Sequence, residues 1–284
     1  MLNADNTASN MEAQALPLVN FFSLSRAELA DFLQERFSLS PYRADQLFQW
    51  VYQRGTYDTR EMTNIKKAVR EDLASAFSFS DLNYFDRQIS NDGTRKYLFE
   101  VESGHKVESV MIKQEKRMTL CVSSQVGCAL ACQFCRTGTM GLTRHLDTSE
   151  IVKQFLGVIE DAKNFDDMFT NTVFMGMGEP LHNIDNVLRA IRIVNDDFGL
   201  GLSARKITVS TVGLVPAIEK FFDSGVEANL AVSLNATTDD VRDKIMPVNK
   251  KYPLFFLRNH RKQAAINNVA MGMRIQKCAG QGQH

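Results

Sequence analysis

From residue 120 onward the chain alternates short strand-like runs with helical ones four times, and no other feature constrains its fold as strongly. The strand-like runs are 120–123, 172–175, 206–210 and 228–233. The helical runs are 149–163 (Ile151, Val152, Phe155, Leu156, Ile159), 184–195 (Ile184, Val187, Leu188, Ile191), 215–223 and 238–245. Repeated βα units bury both faces of their strands only as a parallel sheet or barrel covered by helices. After Tyr252 no clear fifth unit follows. The expectation is an α/β fold, a partial (βα) barrel incomplete after about four units. Such a fragment leaves a parallel edge unpaired and apolar helix faces uncovered, both aggregation hazards.

Upstream the period changes twice. Residues 1–16 lack a sustained period and read as a frayed terminus. Three helical patterns follow between 25 and 79: Leu29, Phe32, Leu33, Phe37; Ala44, Leu47, Phe48, Val51, Tyr52; and Ile65, Ala68, Val69, Leu73. Each has one apolar face to bury, so 17–82 reads as a small helical domain with Trp50 and the phenylalanines as its core. Between 83 and 118 the period shortens towards two, with turn signals at Asn91-Asp92-Gly93 and Ser103-Gly104. Strands at 96–101, 107–112 and 118–123 are expected, the last leading straight into a group of cysteines.

At 284 residues and 44% hydrophobic, the chain can build about two domains. It has no apolar run of membrane-spanning length and no Lys or Arg before Arg26, which argues against insertion and export and for the cytoplasm. The net charge of zero hides a division: eight basic residues and no acid lie in 244–284, whereas 25 basic residues stand against all 33 acids in 1–243. The basic, amide-rich stretch after Leu257 reads either as a cationic RNA-binding tail or as a terminus foreign to the preceding fold.

Five cysteines stand at 121, 128, 132, 135 and 278. In a chain without an export signal, Cys128-x3-Cys132-x2-Cys135 reads as metal or redox chemistry. Three thiolates on one short loop can hold three corners of an iron–sulfur cube and leave the fourth iron open. A zinc site of three Cys and a His, with His145 nearest, competes, although zinc sites favour paired cysteines across a longer gap.

The segment Leu120-Cys121-Val122-Ser123-Ser124-Gln125-Val126-Gly127-Cys128-Ala129-Leu130-Ala131-Cys132-Gln133-Phe134-Cys135, with Phe174-Met175-Gly176-Met177-Gly178-Glu179-Pro180-Leu181, closely resembles the radical S-adenosylmethionine RNA methyltransferases of the RlmN type. The likeness runs from about Leu18 to Lys251 or Tyr252 and includes Tyr42-Arg43-Ala44-Asp45-Gln46-Leu47 and Pro247-Val248-Asn249-Lys250-Lys251-Tyr252. It implies methylation of carbon 2 of adenosine in 23S rRNA and tRNA. It also implies a helical RNA-binding domain at 17–82, a β-hairpin extension at 83–118, a radical S-adenosylmethionine core at 119–252 and a non-matching basic tail at 253–284.

Residue by residue, the resemblance implies that Cys128, Cys132 and Cys135 ligate a 4Fe-4S cluster whose free iron binds the amino and carboxylate groups of S-adenosylmethionine. Phe134 lies where the family packs the cofactor's adenine, and Gly178 and Glu179 match its cofactor-binding pair. A glycine lets a polar ligand approach the backbone and a carboxylate can pair with the methionine ammonium; alone, Met175-Gly176-Met177-Gly178 could equally be a flexible strand end. Ser210, Ser233, Leu234 and Asn235 match further cofactor contacts, all at carboxyl ends of expected parallel strands. Asn235 replaces the family's usual His but still hydrogen-bonds. Glu108 matches the family's proton acceptor, although a Glu in an alternating strand is ordinarily just solvated. Cys121 matches the cysteine that resolves the covalent enzyme–RNA intermediate through a transient disulfide; read alone it is a core thiol or a fourth ligand.

The family reaction uses two cofactor molecules and a methyl-carrying cysteine near the C-terminus. No segment after Tyr252 matches the one that carries it, and Cys278 is the sole candidate in a non-matching setting. The expectation is a truncated or frame-shifted end and a chain inactive in methyl transfer as it stands. Implied partners are 23S rRNA, tRNA and a flavodoxin-like electron donor, with no membrane and a monomeric chain. The other classes kept open are a zinc-dependent RNA-binding module and a radical enzyme with a different acceptor.

Overall fold

Local signals start the helical domain. Ser25 and Glu28 close a capping box at the head of α1 (Arg26–Phe37), in which the Ser25 N–H donates to Glu28 Oε2 at 2.8 Å. The computed structural model describes residues 17–79, 84–114, 117–165 and 167–257 and the backbone of 269–272. A short strand, β1 (Val19–Asn20), precedes α1. After it come α2 (Tyr42–Phe48), continued by a π turn at Gln49–Gln53, then α3 (Lys67–Ala74) and β2 (Phe77–Ser78), which pairs parallel with β1. The apolar faces read from the sequence close on Phe21, Phe22, Leu29, Leu33, Phe48 and Leu73, all fully buried. Trp50 packs against this core from its edge. It is half-buried, its indole N–H donates to Asn64 Oδ1 at 2.6 Å, and the Arg54 guanidinium lies 4.2 Å from its ring centre. A ring with a polar edge is satisfied at the surface.

The extension is an antiparallel meander of β3 (Asp86–Ile89), β4 (Arg95–Glu100), β5 (Lys106–Gln114) and β6 (Arg117–Cys121). Both expected turns form, with Gly93 at φ 82° and Ser103 and Gly104 at φ 65° and 73°. The strand expected at 118–123 ends earlier, at Cys121. After it β7 (Gln125–Cys128) pairs with β8 (Gly141–His145) as a separate antiparallel ribbon around the cysteine loop.

The alternating units follow as expected: α4 (Thr148–Ala162), β9 (Asn171–Phe174), α5 (Ile184–Asn195), β10 (Ile207–Thr211), α6 (Val215–Asp223), β11 (Asn229–Ser233) and α7 (Asp239–Ile245). β6, β9, β10 and β11 pair parallel in that order, and the meander continues the same sheet beyond β6. Two findings correct the reading of the chain after Tyr252. The sheet does not stop at four strands, because β12 (Val269–Gly272) pairs parallel with β11 and covers the edge expected to be open. Four residues without alternation are too short a run to announce a strand. Two residues assigned to the tail belong to the core: Leu254 and Leu257 are buried, and the Leu254 N–H donates to Asp239 Oδ1 at 2.9 Å, while Phe255 and Phe256 between them are exposed.

Burial alternates along these strands and distinguishes their faces. In β9, β10 and β11 the residues Thr172, Phe174, Ile207, Val209, Leu230 and Val232 are buried, while Val173, Thr208, Ser210, Ala231 and Ser233 are half-buried. The first set meets the helices, and the second lines an inner, more open face. No described helix is long and apolar enough to cross a membrane.

Candidate functional site

The cysteine loop is held open by backbone conformations few residues adopt. Gly127 has φ 77°, and a Cβ there would lie 1.9 Å from the Gly141 carbonyl oxygen, so the ribbon closes only on glycine. Beyond Cys128 the chain turns through Ala131 at φ 50°, the Cys135 N–H donates to the Cys132 carbonyl at 3.1 Å, and the Gln133 N–H donates to the Ile245 carbonyl at 2.9 Å. A Cβ at Gly138 would sit 3.0 Å from the Cys132 backbone, so the following turn presses against the loop.

Cys128 and Cys132 are buried and Cys135 partly so, and none of Cys121, Cys128, Cys132 and Cys135 is in a disulfide. Burial pushes the Cys128 thiol up, helped by Glu179 and Cys135 and opposed by a backbone hydrogen bond at Leu130. Burial, then Cys128, Cys135 and Glu179, pushes Cys132 up to about 12, with Arg242 opposing. Thiols so costly to ionise become ligands when a cation takes up their charge. Three soft donors on one anchored loop suit an iron–sulfur cluster. Among the described residues, no three His, Cys, Asp or Glu side chains converge as a single ion requires, and His145 faces Gln125 and His182 instead.

The glycine-rich loop after β9 is fastened to the segment between β6 and β7. The Ser124 and Gln125 N–H groups donate to the Met177 carbonyl at 2.9 and 3.2 Å, and the Met177 N–H donates to Ser123 Oγ at 2.8 Å. At Gly178 (φ 99°) a Cβ would stand 2.5 Å from Gln125 Cβ, so the chain's own glutamine packs closely on this backbone. Glu179 is 3% exposed, and its carboxylate accepts from the Val212 N–H at 2.9 Å and the Leu181 N–H at 3.1 Å. Burial pushes its carboxyl up to about 7, against the Val212, Thr211 and Leu181 hydrogen bonds that favour the charge.

The other sequence-derived residues divide by face. Ser210 and Ser233 lie on the inner face, with their hydroxyl oxygens 3.2 Å apart. Leu234 accepts at its carbonyl from Arg242 Nε at 2.9 Å. Asn235 holds φ 57°, a conformation Asn tolerates better than most residues, and its Nδ2 meets Met246 Sδ at 3.3 Å. Cys121, buried at the end of β6, pairs in register with Val110 of β5 and Val173 of β9. Glu108 lies two residues before Val110, hence on the same face. It is half-exposed, with Lys96 Nζ 3.1 Å from its Oε1. Phe134 is 59% exposed on the loop.

Sequence reasoning missed three polar residues that build this region. Gln125 is fully buried beneath Glu179. Asn183 Nδ2 donates to the Ser124 and Leu146 carbonyls at 2.9 and 2.7 Å. Arg242, fully buried, ties the Leu234 and Val212 carbonyls to Asn249 and so joins the ends of β10 and β11. For Gln125 the available signal was the unbroken polar run Ser123-Ser124-Gln125 between an apolar strand and Val126-Gly127, a costly pattern to bury without partners.

Comparison with known proteins follows the same division of the chain. Residues 19–78 match the Ribosomal RNA large subunit methyltransferase N-terminal domain, and residues 122–269 match the Radical SAM superfamily, a match running past Tyr252. The chain is 53% identical over 240 residues to the dual-specificity RNA methyltransferase RlmN of Geobacter sulfurreducens, covering 84% of this chain and 65% of the relative. It is 53% identical over 213 residues to the same-named protein of Pelobacter propionicus, covering 75% and 60%. A Geobacillus thermodenitrificans relative carrying the RlmN designation is 42% identical over 254 residues, covering 89% and 70%. The chain thus spans 65% and 60% of the first two relatives' length. The crystal structure of a radical SAM methyltransferase from Sphaerobacter thermophilus superimposes with a TM-score of 0.78 at 39% identity, covering 87% of this chain and 73% of that one. With both of its segments matched in order and its fold shared with a solved methyltransferase, the chain belongs to the RlmN family of radical S-adenosylmethionine enzymes.

Proposed function

We propose for this protein the family reaction, methylation of carbon 2 of adenosine in 23S rRNA and tRNA through a methyl-cysteine intermediate, in which residues 17–257 supply the cluster, cofactor and substrate-proton groups and do not include the methyl-carrying cysteine; it works in the cytoplasm as a monomer fed by a flavodoxin-like donor. One observation supports this reading above the rest. The cysteine loop, the Gly178–Glu179 turn and the Ser210–Ser233 pair gather around the carboxyl ends of the parallel strands, with Cys121 of β6 and Glu108 of β5 on one face of the sheet. When bound, a 4Fe-4S cluster and S-adenosylmethionine supply one-electron cleavage of the sulfonium, chemistry that side chains alone lack.

The chain's own residues then have separable tasks. Cys128, Cys132 and Cys135 hold the cluster. Glu179 pairs with the methionine ammonium, which offsets the burial that otherwise disfavours its charge. The Ser210 and Ser233 hydroxyls and the Leu234–Asn235 turn orient the rest of the cofactor, and Phe134 offers a ring to its adenine. Glu108, with Lys96 Nζ 3.1 Å from its Oε1, accepts a proton from the substrate carbon. Cys121, at the strand end between β5 and β9, resolves the enzyme–RNA adduct.

Two measurements test the reading. Anaerobic reconstitution of the 284-residue chain with iron and sulfide yields brown protein that releases 5′-deoxyadenosine from S-adenosylmethionine under reduction; colourless, iron-free protein retaining zinc overturns it. Deleting the coding region in its own cells removes 2-methyladenosine from 23S rRNA and tRNA by mass spectrometry. Its undiminished presence refutes the substrate assignment.

A further inference from the structure

Gln125 is fully buried, bears no charge, and uses both ends of its amide in directed contacts. The Glu179 N–H donates to Gln125 Oε1 at 2.7 Å. Since a backbone N–H can only donate, that oxygen is fixed, and the NH2 end of the amide must face the other way. There it meets two imidazole nitrogens, His145 Nδ1 at 2.9 Å and His182 Nδ1 at 3.4 Å. An amide NH2 has two hydrogens and no lone pair to offer, so both Nδ1 atoms must accept, and each ring carries its proton on Nε2. The rings meet edge to face with centres 5.0 Å apart. Burial and the neighbouring His182 lower the His145 pKa, in keeping with a neutral ring.

The arrangement joins separate elements at one side chain. Gln125 opens β7, the strand that ends on Cys128; His145 closes β8; His182 lies in the turn after Glu179; and Gly178 has no side chain because the Gln125 methylenes fill that space. A rotation of the Gln125 amide would break the Glu179 contact and move the turn carrying its carboxylate. We propose that Gln125 is the positioning residue of the cofactor loop: its amide, oriented by the Nδ1 acceptors of His145 and His182, fixes the Glu179 backbone and so aims the Glu179 carboxylate at the S-adenosylmethionine ammonium. The proposal rests on the site being a cofactor site, and its test separates the two ideas.

The first arm needs neither cluster nor cofactor. Nitrogen-15 spectra of the cluster-free chain, recorded between pH 7 and 8, show His145 and His182 both with an unprotonated Nδ1 and a protonated Nε2. An Nδ1–H form of either ring overturns the proposal whatever the chain binds, because the amide could not then donate to it. The second arm titrates S-adenosylmethionine into reconstituted wild type and Gln125→Met, a substitution that keeps the volume and removes both ends of the amide. The variant retains its iron and binds the cofactor at least about tenfold more weakly. Gln125→Glu keeps an acceptor for the Glu179 N–H but cannot donate, and it turns both rings to the Nδ1–H form. Equal affinity of wild type and Gln125→Met overturns the positioning role and leaves the cofactor reading intact. Failure of wild type itself to bind defeats the cofactor reading and this proposal together.

Discussion

A carboxyl group that burial pushes up to about 7 is costly to keep ionised, and Glu179 carries that cost at the centre of the site. The sign follows from proton binding. The native carboxyl holds its proton up to about 7, while the unfolded one releases it near the ordinary carboxyl value of 4.5, so this contribution to stability is greatest below 4.5 and falls as pH rises through 7. The difference corresponds to at most roughly 3 kcal/mol. Urea unfolding of the cluster-free chain at pH 5 and pH 8 is expected to show wild type losing up to that much relative to Glu179→Gln, with parallel pH profiles contradicting it. Glu179→Gln is also expected to weaken S-adenosylmethionine binding by roughly 10- to 100-fold, since a charged partner of the ammonium is lost. The residue's type was legible from the sequence, but the size of its burial cost was not. That cost comes from burial in the folded core, and the N–H groups of Val212, distant in sequence, and of Leu181, two residues on, offset only part of it.

Among the elements, the β7–β8 ribbon positions the cluster loop, and its tightest point is Gly127. Gly127→Ala meets a carbonyl oxygen at 1.9 Å in a backbone conformation that L residues rarely hold, so the two strands must part. The expected outcome is a loss of at least about 2 kcal/mol in unfolding free energy and a fall in bound iron after reconstitution, read from denaturant melts and iron analysis. Normal iron content and stability would show that the ribbon does not shape the loop. The ribbon was invisible in the sequence because Gln125–Cys128 and Gly141–His145 are four and five residues long and carry no clean alternation. By contrast α4, α5 and α6 were legible, each presenting a continuous apolar face to the sheet.

For the whole molecule, the helical domain shares one continuous apolar core with the βα units, and a few directed contacts, rather than the sheet, pin the two together. Arg26 pairs with Asp45 at 2.6 Å and with Asp196 at 2.8 Å while lying 4.9 Å from the Phe198 ring centre. Arg189 of α5 pairs with Glu28 at 2.9 Å, and Gln53 Nε2 donates to the Asp197 carbonyl at 2.7 Å. Arg26 bonds acids of both parts, so Arg26→Ala is expected to lower unfolding stability by about 1–2 kcal/mol. Trp50, the single tryptophan, lies in the helical domain and reports that transition by fluorescence. Cofactor binding at the distant carboxyl strand ends should stay within twofold of wild type, and a larger loss would place the domain contact inside the cofactor site's support.

The sequence by itself determined the βα alternation, the apolar helix faces and the cysteine spacing, because periodicity and short-range motifs depend on neighbours a few residues apart. Only the tertiary structure decided that β12 closes the β11 edge, that Leu254 and Leu257 belong to the core, and that Gly178 makes room for Gln125. Each of those depends on contacts between residues far apart along the chain. Such contacts exist only once the sheet has brought its strands together, and no local pattern encodes them.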